Sequence, residues 1–400
     1  MQLLLPLFGL LPLISAVPVI EKRTGPTPRL VQYVQTFTNE AGNPLSLLPL
    51  LNKKTQVTNV ILASLHLNSA PGDIHLNDDP PNATMFDQTW QEVKTLQASG
   101  IKVGALLGGA AQGSYQLLSG DEASFQSYYQ PLLNNVIKAY NLDGLDLDIE
   151  ETVNVSVPLR LINQLYSDLG PNFEITMAPV ASAMASPDGA DLSGFSYFDL
   201  DKKATAPSNS SQKLVTWYNT QFYSGFGDPS TPATYETIIA AGWAPSRIVM
   251  GVLDSNDDGS GWVPIGLLNS TIKSLRAQYG TSFGGVDGWE YFNAGNSDGF
   301  AQPYEWTRAI GADLFGPLLK RTNPTASIGG VGIENLPTPP SPFDSLVVED
   351  LRTRMGVGHF EAVRALNLTK GDRIAARGLL MGMNEKRSLD SWKESHAEDF

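Results

Sequence analysis

The octet Asp143-Gly144-Leu145-Asp146-Leu147-Asp148-Ile149-Glu150 constrains the fold more than any other stretch of the chain. Read as a β-strand it alternates strictly, so Asp146, Asp148 and Glu150 point to one face and Leu145, Leu147 and Ile149 to the other. The apolar face can pack on helices. Asp143 has the opposite parity to the three acids and sits with Gly144 at the strand entry, where a turn role is expected. Like charges at this spacing cannot all ionise cheaply, so at least one carboxyl should hold its proton to a raised pKa. A carboxylic acid still protonated near neutrality can serve as a general acid. A solvated strand face or a Ca²⁺ loop fits less well. A helix-loop-helix Ca²⁺ site wants alternating Asp or Asn, then Gly, then a distant Glu in a polar setting, whereas Leu, Leu and Ile intervene here.

The octet closely resembles the catalytic signature of family-18 glycoside hydrolases, the chitinase family, in which it forms the fourth strand of a TIM barrel. The chain order agrees with such an α/β class by itself. From Leu30 onward, short apolar strands alternate with helical segments. Strands are expected at 30–37, 59–67, 101–107, 143–150, 174–180, within 213–223, and at 247–253 and 285–292. Helices are expected at 86–98, 121–140, 157–169, 234–241, 270–279 and 306–319, several of them stopped by a glycine such as Gly100, Gly170 or Gly242. Eight strand–helix units make a TIM (β/α)₈ barrel, whose chemistry belongs at the strand C-terminal ends, where Glu150 falls. With 400 residues, 42% of them hydrophobic, there is ample material for that core.

Both ends read differently from the middle. Residues 1–16 are short, apolar and closed by small residues, as in a secretory signal peptide, although the usual positive start is missing. Lys22-Arg23 then suggests a dibasic processing site, with residues 17–23 a propeptide and the catalytic barrel occupying 24–325. Pro337-Thr-Pro-Pro-Ser-Pro342 marks residues 326–342 as a stiff linker. Residues 343–384 have a helical pattern, a short C-terminal extension. Met355-Gly356-Val357, Ala362 to Leu366, Gly371-Asp372 and Leu379-Leu380 resemble a ubiquitin-associated module, which would make ubiquitin a partner only if that module is functional. Val357 stands where such modules carry Phe or Tyr, and ubiquitin binding conflicts with a secreted chain. Residues 385–400 are charged, as in a disordered tail.

The formal charge of −14 argues against a nucleic-acid partner. Beyond the leader no stretch is long and apolar enough to span a membrane. The chain has no cysteine, which excludes thiolate metal sites and Cys nucleophiles. Its four histidines, His66, His75, His359 and His396, lack metal-ligand spacing. Sequons at Asn82, Asn154, Asn209, Asn269 and Asn367 agree with a secreted, extracellular glycoprotein. A monomer is expected.

Further stretches sit where the family-18 resemblance places its other elements. Gly108-Gly109 closes the third strand, with Leu106 where typical chitinases have Ser. Gln221 and Tyr223 share a face at the end of the sixth strand, and Trp289 ends the eighth. An aromatic residue in a strand often serves only the core, but Gln221 two residues earlier argues for a polar pocket. The runs Ser193–Tyr197, Trp217–Gly227 and Gly288–Asn293 resemble a narrower group in the family, the secreted fungal endo-β-N-acetylglucosaminidases, across about Pro28 to Leu319. That resemblance implies hydrolysis of the GlcNAc-β1,4-GlcNAc core of N-glycans on glycoproteins, without metal or organic cofactor. It implies that Glu150 is the acid/base, that Asp148 orients and stabilises the substrate acetamide, and that Asp146 supports Asp148 through a shared proton or hydrogen bond. Gln221 and Tyr223 would bind the N-acetyl group, and Trp289 would form the floor under the sugar. A chitinase is the alternative, and a non-catalytic carbohydrate-binding lectin on the same fold is disfavoured by the intact Glu150.

Overall fold

The computed structural model describes residues 27–39 and 41–316. Eight parallel strands form the centre: β1 (Arg29–Val34), β2 (Asn59–Leu67), β3 (Lys102–Gly108), β4 (Gly144–Asp148), β5 (Glu174–Met177), β6 (Trp217–Gln221), β7 (Ile248–Leu253) and β8 (Gly285–Trp289). Each pairs with the next in sequence, and β8 returns to β1 with Leu30 level with Val286, so the sheet closes. Closure leaves no barrel strand with an open edge. The structure is a (β/α)₈ barrel.

A helix follows every strand: α1 (Leu48–Asn52), α2 (Asp87–Ala98), α3 (Glu122–Pro131), α4 (Ser156–Leu169), α5 (Tyr197–Lys203), α6 (Ala233–Ala240), α7 (Ile265–Tyr279) and α8 (Pro303–Phe315). The local signals explain several of their ends. Asp121 caps α3 by accepting the Ser124 amide at 2.9 Å. Gln302 and Glu305 form a reciprocal capping box on α8. Gly170 ends α4 with φ +76°, a conformation open to glycine at little cost. In α4 the buried Val157, Leu161, Ile162 and Leu165 recur at helical spacing and face the barrel.

The sequence reading needs correction at element boundaries. Helix α1 and the short helix α5 carry too few residues for a periodic signal. Residues 121–140 are not one regular helix, because past Pro131, which has no N–H to donate, the chain continues as a π-helix over Leu132–Lys138. The sixth strand does lie within 213–223, at Trp217–Gln221, while Lys213 belongs to a hairpin (Asn209–Lys213 against Thr205–Ala206) and its ammonium turns back to Asp201 at 3.0 Å. Helix α7 starts at Ile265 and α8 at Pro303, both earlier than the apolar pattern alone indicates. The leader, propeptide, linker, helical extension with its ubiquitin-associated likeness, and charged tail lie outside the described residues. Among the described residues no helix is long and apolar enough to cross a membrane.

Parity decides what the barrel contains. Leu145, Leu147 and Ile149 of the acid stretch face outward and join the large core beneath the helices. The interior is narrower, and is filled by Val31, Tyr33, Ile61, Ala63, Leu106, Trp217 and Val249. At the strand entries Asp143 clamps β3, accepting the Val103 amide, the Gln97 amide group and the Lys102 ammonium at 2.9 Å each. Above the apolar filling, towards the strand C-terminal ends, the interior becomes polar and acidic.

Candidate active site

Asp146 is fully enclosed in the barrel interior. Its Oδ1 accepts from Thr176 at 2.6 Å and from Asn219 at 3.2 Å, and its Oδ2 accepts from the Tyr33 hydroxyl at 2.8 Å. Burial raises its pKa from 3.8 to about 6, and the donors hold it from going higher. Asp148, two residues on, is 7% exposed. Burial raises its pKa well above the ordinary carboxylate range, and the neighbouring Glu150 and Asp146 charges push the same way. Asp148 donates a hydrogen bond towards Glu150, which raises the Asp148 pKa and lowers that of Glu150. Glu150 lies two residues beyond the end of β4 and is half-buried at the mouth, with its pKa raised by burial. In this structure, then, Asp148 pairs with Glu150, and Asp146 acts on Asp148 through space.

Gln221 completes the pair's surroundings. Its Nε2 donates to Asp148 Oδ1 at 3.2 Å and to the Ala178 carbonyl at 2.8 Å, so its amide is fixed from two sides. Tyr223 lies just past β6, half-buried. Burial raises its pKa well above 10, and the charges of Asp287, Asp148, Glu150 and Asp146 add to this. Trp289, the last residue of β8, is half-buried and rests on Tyr33 with ring centroids 5.6 Å apart. All six residues singled out in the sequence thus meet at one end of the barrel.

Gly108 and Gly109 prove to be more than a tight turn. Gly108 has φ +101°, and a Cβ there would lie 2.2 Å from the Asp148 carbonyl oxygen. The Gly109 amide donates to that same oxygen at 3.0 Å. The loop therefore lies flush on the acid strand because it has no side chains. Beyond it, Gln112 donates to the Glu150 carbonyl at 2.6 Å, and the Glu151 carboxylate accepts the Gly113 and Tyr115 amides at 3.1 and 2.8 Å. A groove of about 680 Å³ opens beside Glu150, lined by Gln112, Gln116, Glu151, Thr152, Asp191 and Leu192.

The sequence model of "Glycosyl hydrolases family 18" matches residues 29–261. The chain belongs to that family. It is similar to Chitinase 2 of Rhizopus oligosporus, 27% identical over 68% of this chain and 51% of that protein. The chain spans about half the length of the curated Rhizopus relatives it matches. Among solved structures, chitinase ChiC from Aspergillus fumigatus is 45% identical, covering 67% of this chain and 92% of its own, with a TM-score of 0.62. A fungal endo-β-N-acetylglucosaminidase of family 18 is 42% identical, covering 73% of this chain and all of its own, with a TM-score of 0.66.

Within this family-18 barrel, several site residues escaped the sequence reading. Tyr33, Thr176 and Asn219 hold Asp146, and Asp287 shares their enclosure. Asn219 was within reach, since it precedes Gln221 by two and so shares its face. Tyr33 was not, because β1 is buried on both sides and its alternation has no polar phase to read. Glu290, the residue after Trp289, is structural. Its carboxylate accepts the Gln35 and Thr36 amides and the Thr36 hydroxyl at 2.6–2.9 Å, tying β8 to the end of β1.

Proposed function

We propose that this family-18 enzyme is a secreted endo-β-N-acetylglucosaminidase that cleaves between the two GlcNAc residues of the N-glycan core with retention of configuration. The observation that carries the catalytic part is that Asp148 and Glu150 pair on one side of a single strand, with Gln221 on Asp148. The carboxyl paired with Glu150 stands on the same strand, buried and with its pKa raised well above the ordinary carboxylate range, and so is badly placed to attack a sugar from the opposite face. Substrate assistance, the family's departure from the two-carboxylate scheme, fits this arrangement.

The one proton held by the pair then serves two states. In the free enzyme it lies on Asp148 and bonds Glu150. When the 2-acetamido N–H of the substrate binds Asp148, Asp148 becomes the acceptor and the proton moves to Glu150. Glu150 passes it to the glycosidic oxygen as the acetamide oxygen attacks the anomeric carbon, giving an oxazolinium ion and the free leaving group. Asp148, supported by Asp146, balances the positive charge. Tyr223 donates to the acetamide oxygen, Gln221 fixes Asp148, and Trp289 supports the apolar face of the ring. Glu150, now ionised, takes a proton from water as the water attacks the same carbon, restoring the acid.

The substrate part rests on the groove beside Glu150. Its lining is amide, carboxyl and hydroxyl with one leucine, and no aromatic ring. A polymer of GlcNAc is commonly held by ring stacking, whereas a single GlcNAc joined to a polypeptide suits a polar groove. The likeness to the solved endo-β-N-acetylglucosaminidase agrees with this. The 45% identity to the solved chitinase favours a second reading, hydrolysis of chitin oligomers. Product mass separates the two. A high-mannose glycoprotein treated with the enzyme should keep one GlcNAc per site, and Glu150→Gln should abolish the reaction while still binding glycan. Release of short oligomers from chitin, with the glycoprotein untouched, would select the chitinase. Secretion rests on the apolar stretch 1–16 and the sequons, and the amino-terminal sequence of protein recovered from culture medium tests it.

A further inference from the structure

A fourth acid lies in the barrel beside the three of β4. Asp287 sits on β8 two residues below Trp289 and on the same face, level with Val31 of β1 and Gly251 of β7. It is 3% exposed. Its carboxyl occupies the room that Gly251 leaves: a Cβ at Gly251 would lie 2.8 and 3.0 Å from the two Asp287 oxygens. Among the described residues Asp287 Oδ2 has no hydrogen-bond partner. Asp254 Oδ1 is likewise unpartnered among the described residues, but the other oxygen of Asp254 is held by Gln32. Asp146 has Tyr33, Thr176 and Asn219; Asp201 has Arg247, Lys213 and Tyr218.

Through Gly251, Asp287 is level with Gln221 of β6, two residues before Tyr223 on the same face, and the titratable groups that act on it are anions and phenols. Its charge acts on Tyr223 more than that of any other acid does, and also on Tyr33 and Asp254. In return, Asp146 is the charge that acts on Asp287. Gly251, its neighbour on β7, brings no charge. Arg29 lies on the same face of β1, but its guanidinium stacks on Trp217, donates to the Ser246 carbonyl and has Glu174 as its anionic neighbour. With neither a cation nor a donor among the described residues to hold it ionised in this enclosure, Asp287 keeps its proton. Burial and the Asp146 charge both act in that direction. The result is an O–H donor under the pocket floor, beside Tyr223, with no acceptor of its own. A buried polar group in that state is normally satisfied by water.

We propose that Asp287 is a positioning residue of the reaction: protonated, it donates through one bound water to the Tyr223 oxygen and so fixes the phenol that binds the substrate's acyl oxygen. This rests on the role given to Tyr223 above. The chain of donors runs one way, from acid to water to phenol to acyl oxygen. Each link polarises the next, which strengthens the Tyr223 O–H as a donor. A neutral acid gives this without placing a fourth negative charge beside Asp146.

The test compares Asp287→Asn, Asp287→Leu and Tyr223→Phe, with the Asp287→Leu/Tyr223→Phe double variant, on whichever substrate the wild type cleaves, glycoprotein or chitin oligomer. Failure of the substrate assignment is thus read separately, from the wild type alone. Asn supplies a neutral donor of the same shape, so kcat should fall by no more than about threefold, with the pH profile unmoved. Leu removes the donor, so kcat should fall by about tenfold or more with KM little changed. Once Tyr223 is Phe, adding Asp287→Leu should cost nothing further. Equal damage from Asn and Leu, or additive losses in the double variant, would overturn the proposal. If Asp287→Leu does not fold, the Asn variant still decides. A downward shift of its acid limb by about one pH unit would mean that a negative charge had been removed and that Asp287 is ionised.

Discussion

Tyr33→Phe isolates a single hydrogen bond of the acid cluster. The ring of Tyr33 is packed in the barrel interior under Trp289, and phenylalanine keeps that packing. What disappears is the 2.8 Å bond to Asp146 Oδ2; the other two donors, Thr176 and Asn219, both serve Oδ1. Oδ2 is left bare in a fully buried site. A hydrogen bond to an ionised carboxylate is worth about 1.5–3 kcal/mol, and one to the neutral acid about 0.5–1.5 kcal/mol. The difference, about 1–1.5 kcal/mol, corresponds to about one pKa unit. Asp146 should therefore titrate near about 7 in the variant, one unit above its value of about 6 in the parent. An ionised Asp146 is what keeps the shared proton on Asp148 and Glu150. The acid limb of kcat/KM should move up by about one unit, as a property of the coupled cluster rather than of one residue. The assay is hydrolysis followed from pH 3 to pH 9 for both proteins, with thermal unfolding as a check on folding. An acid limb that stays in place, or moves down, would show that Asp146 does not set the ionisation of this site.

Asp148→Asn should lower kcat on the order of a hundredfold, because an amide can neither share the proton with Glu150 nor balance a positive oxazolinium. Steady-state hydrolysis measures this, and an unchanged rate would remove Asp148 from the mechanism. Stability should fall as pH rises from about 4 to about 7, since a buried acid with a raised folded-state pKa binds its proton more tightly folded than unfolded. Its stabilising contribution is complete below the ordinary 3.8 and is lost as pH passes about 6; for Asp146 alone it amounts to roughly 3 kcal/mol. Urea midpoints at pH 4, 5, 6 and 7 test the sign, and a midpoint that climbs over this range contradicts it. Gly108→Ala should destabilise the barrel by about 2 kcal/mol or more and depress turnover, because its φ of +101° and the 2.2 Å approach to the Asp148 carbonyl leave no space for a methyl group. Urea unfolding and kcat read the two effects, and a variant equal to wild type in both would refute the close-packing argument.

The sequence alone determined the architecture and the acid face. The alternation from Leu145 to Glu150 has only one phase that buries the leucines, so the three carboxylates had to share the other side. Gln221, Tyr223 and Trp289 were legible through their resemblance to a known family, since each ends a strand. Element ends were less legible where the signal is short or local: α1 has five residues, and the Lys213 hairpin is held by an ion pair to Asp201 that no periodicity announces.

Only the closed barrel decided which of the acids carry protons. That depends on what each side chain meets across the interior. Asp146 finds Tyr33 from β1, Thr176 from β5 and Asn219 from β6, while Asp148 finds Glu150 and Gln221. Asp287 finds no partner for one of its oxygens among the described residues. The outermost of these residues, Tyr33 and Asp287, stand on β1 and β8 and come together because the barrel closes β8 onto β1. The face of a side chain is a property of its own strand, readable from the period of two. Its ionisation is a property of the dielectric and the donors around it, and these exist only once all eight strands are in place.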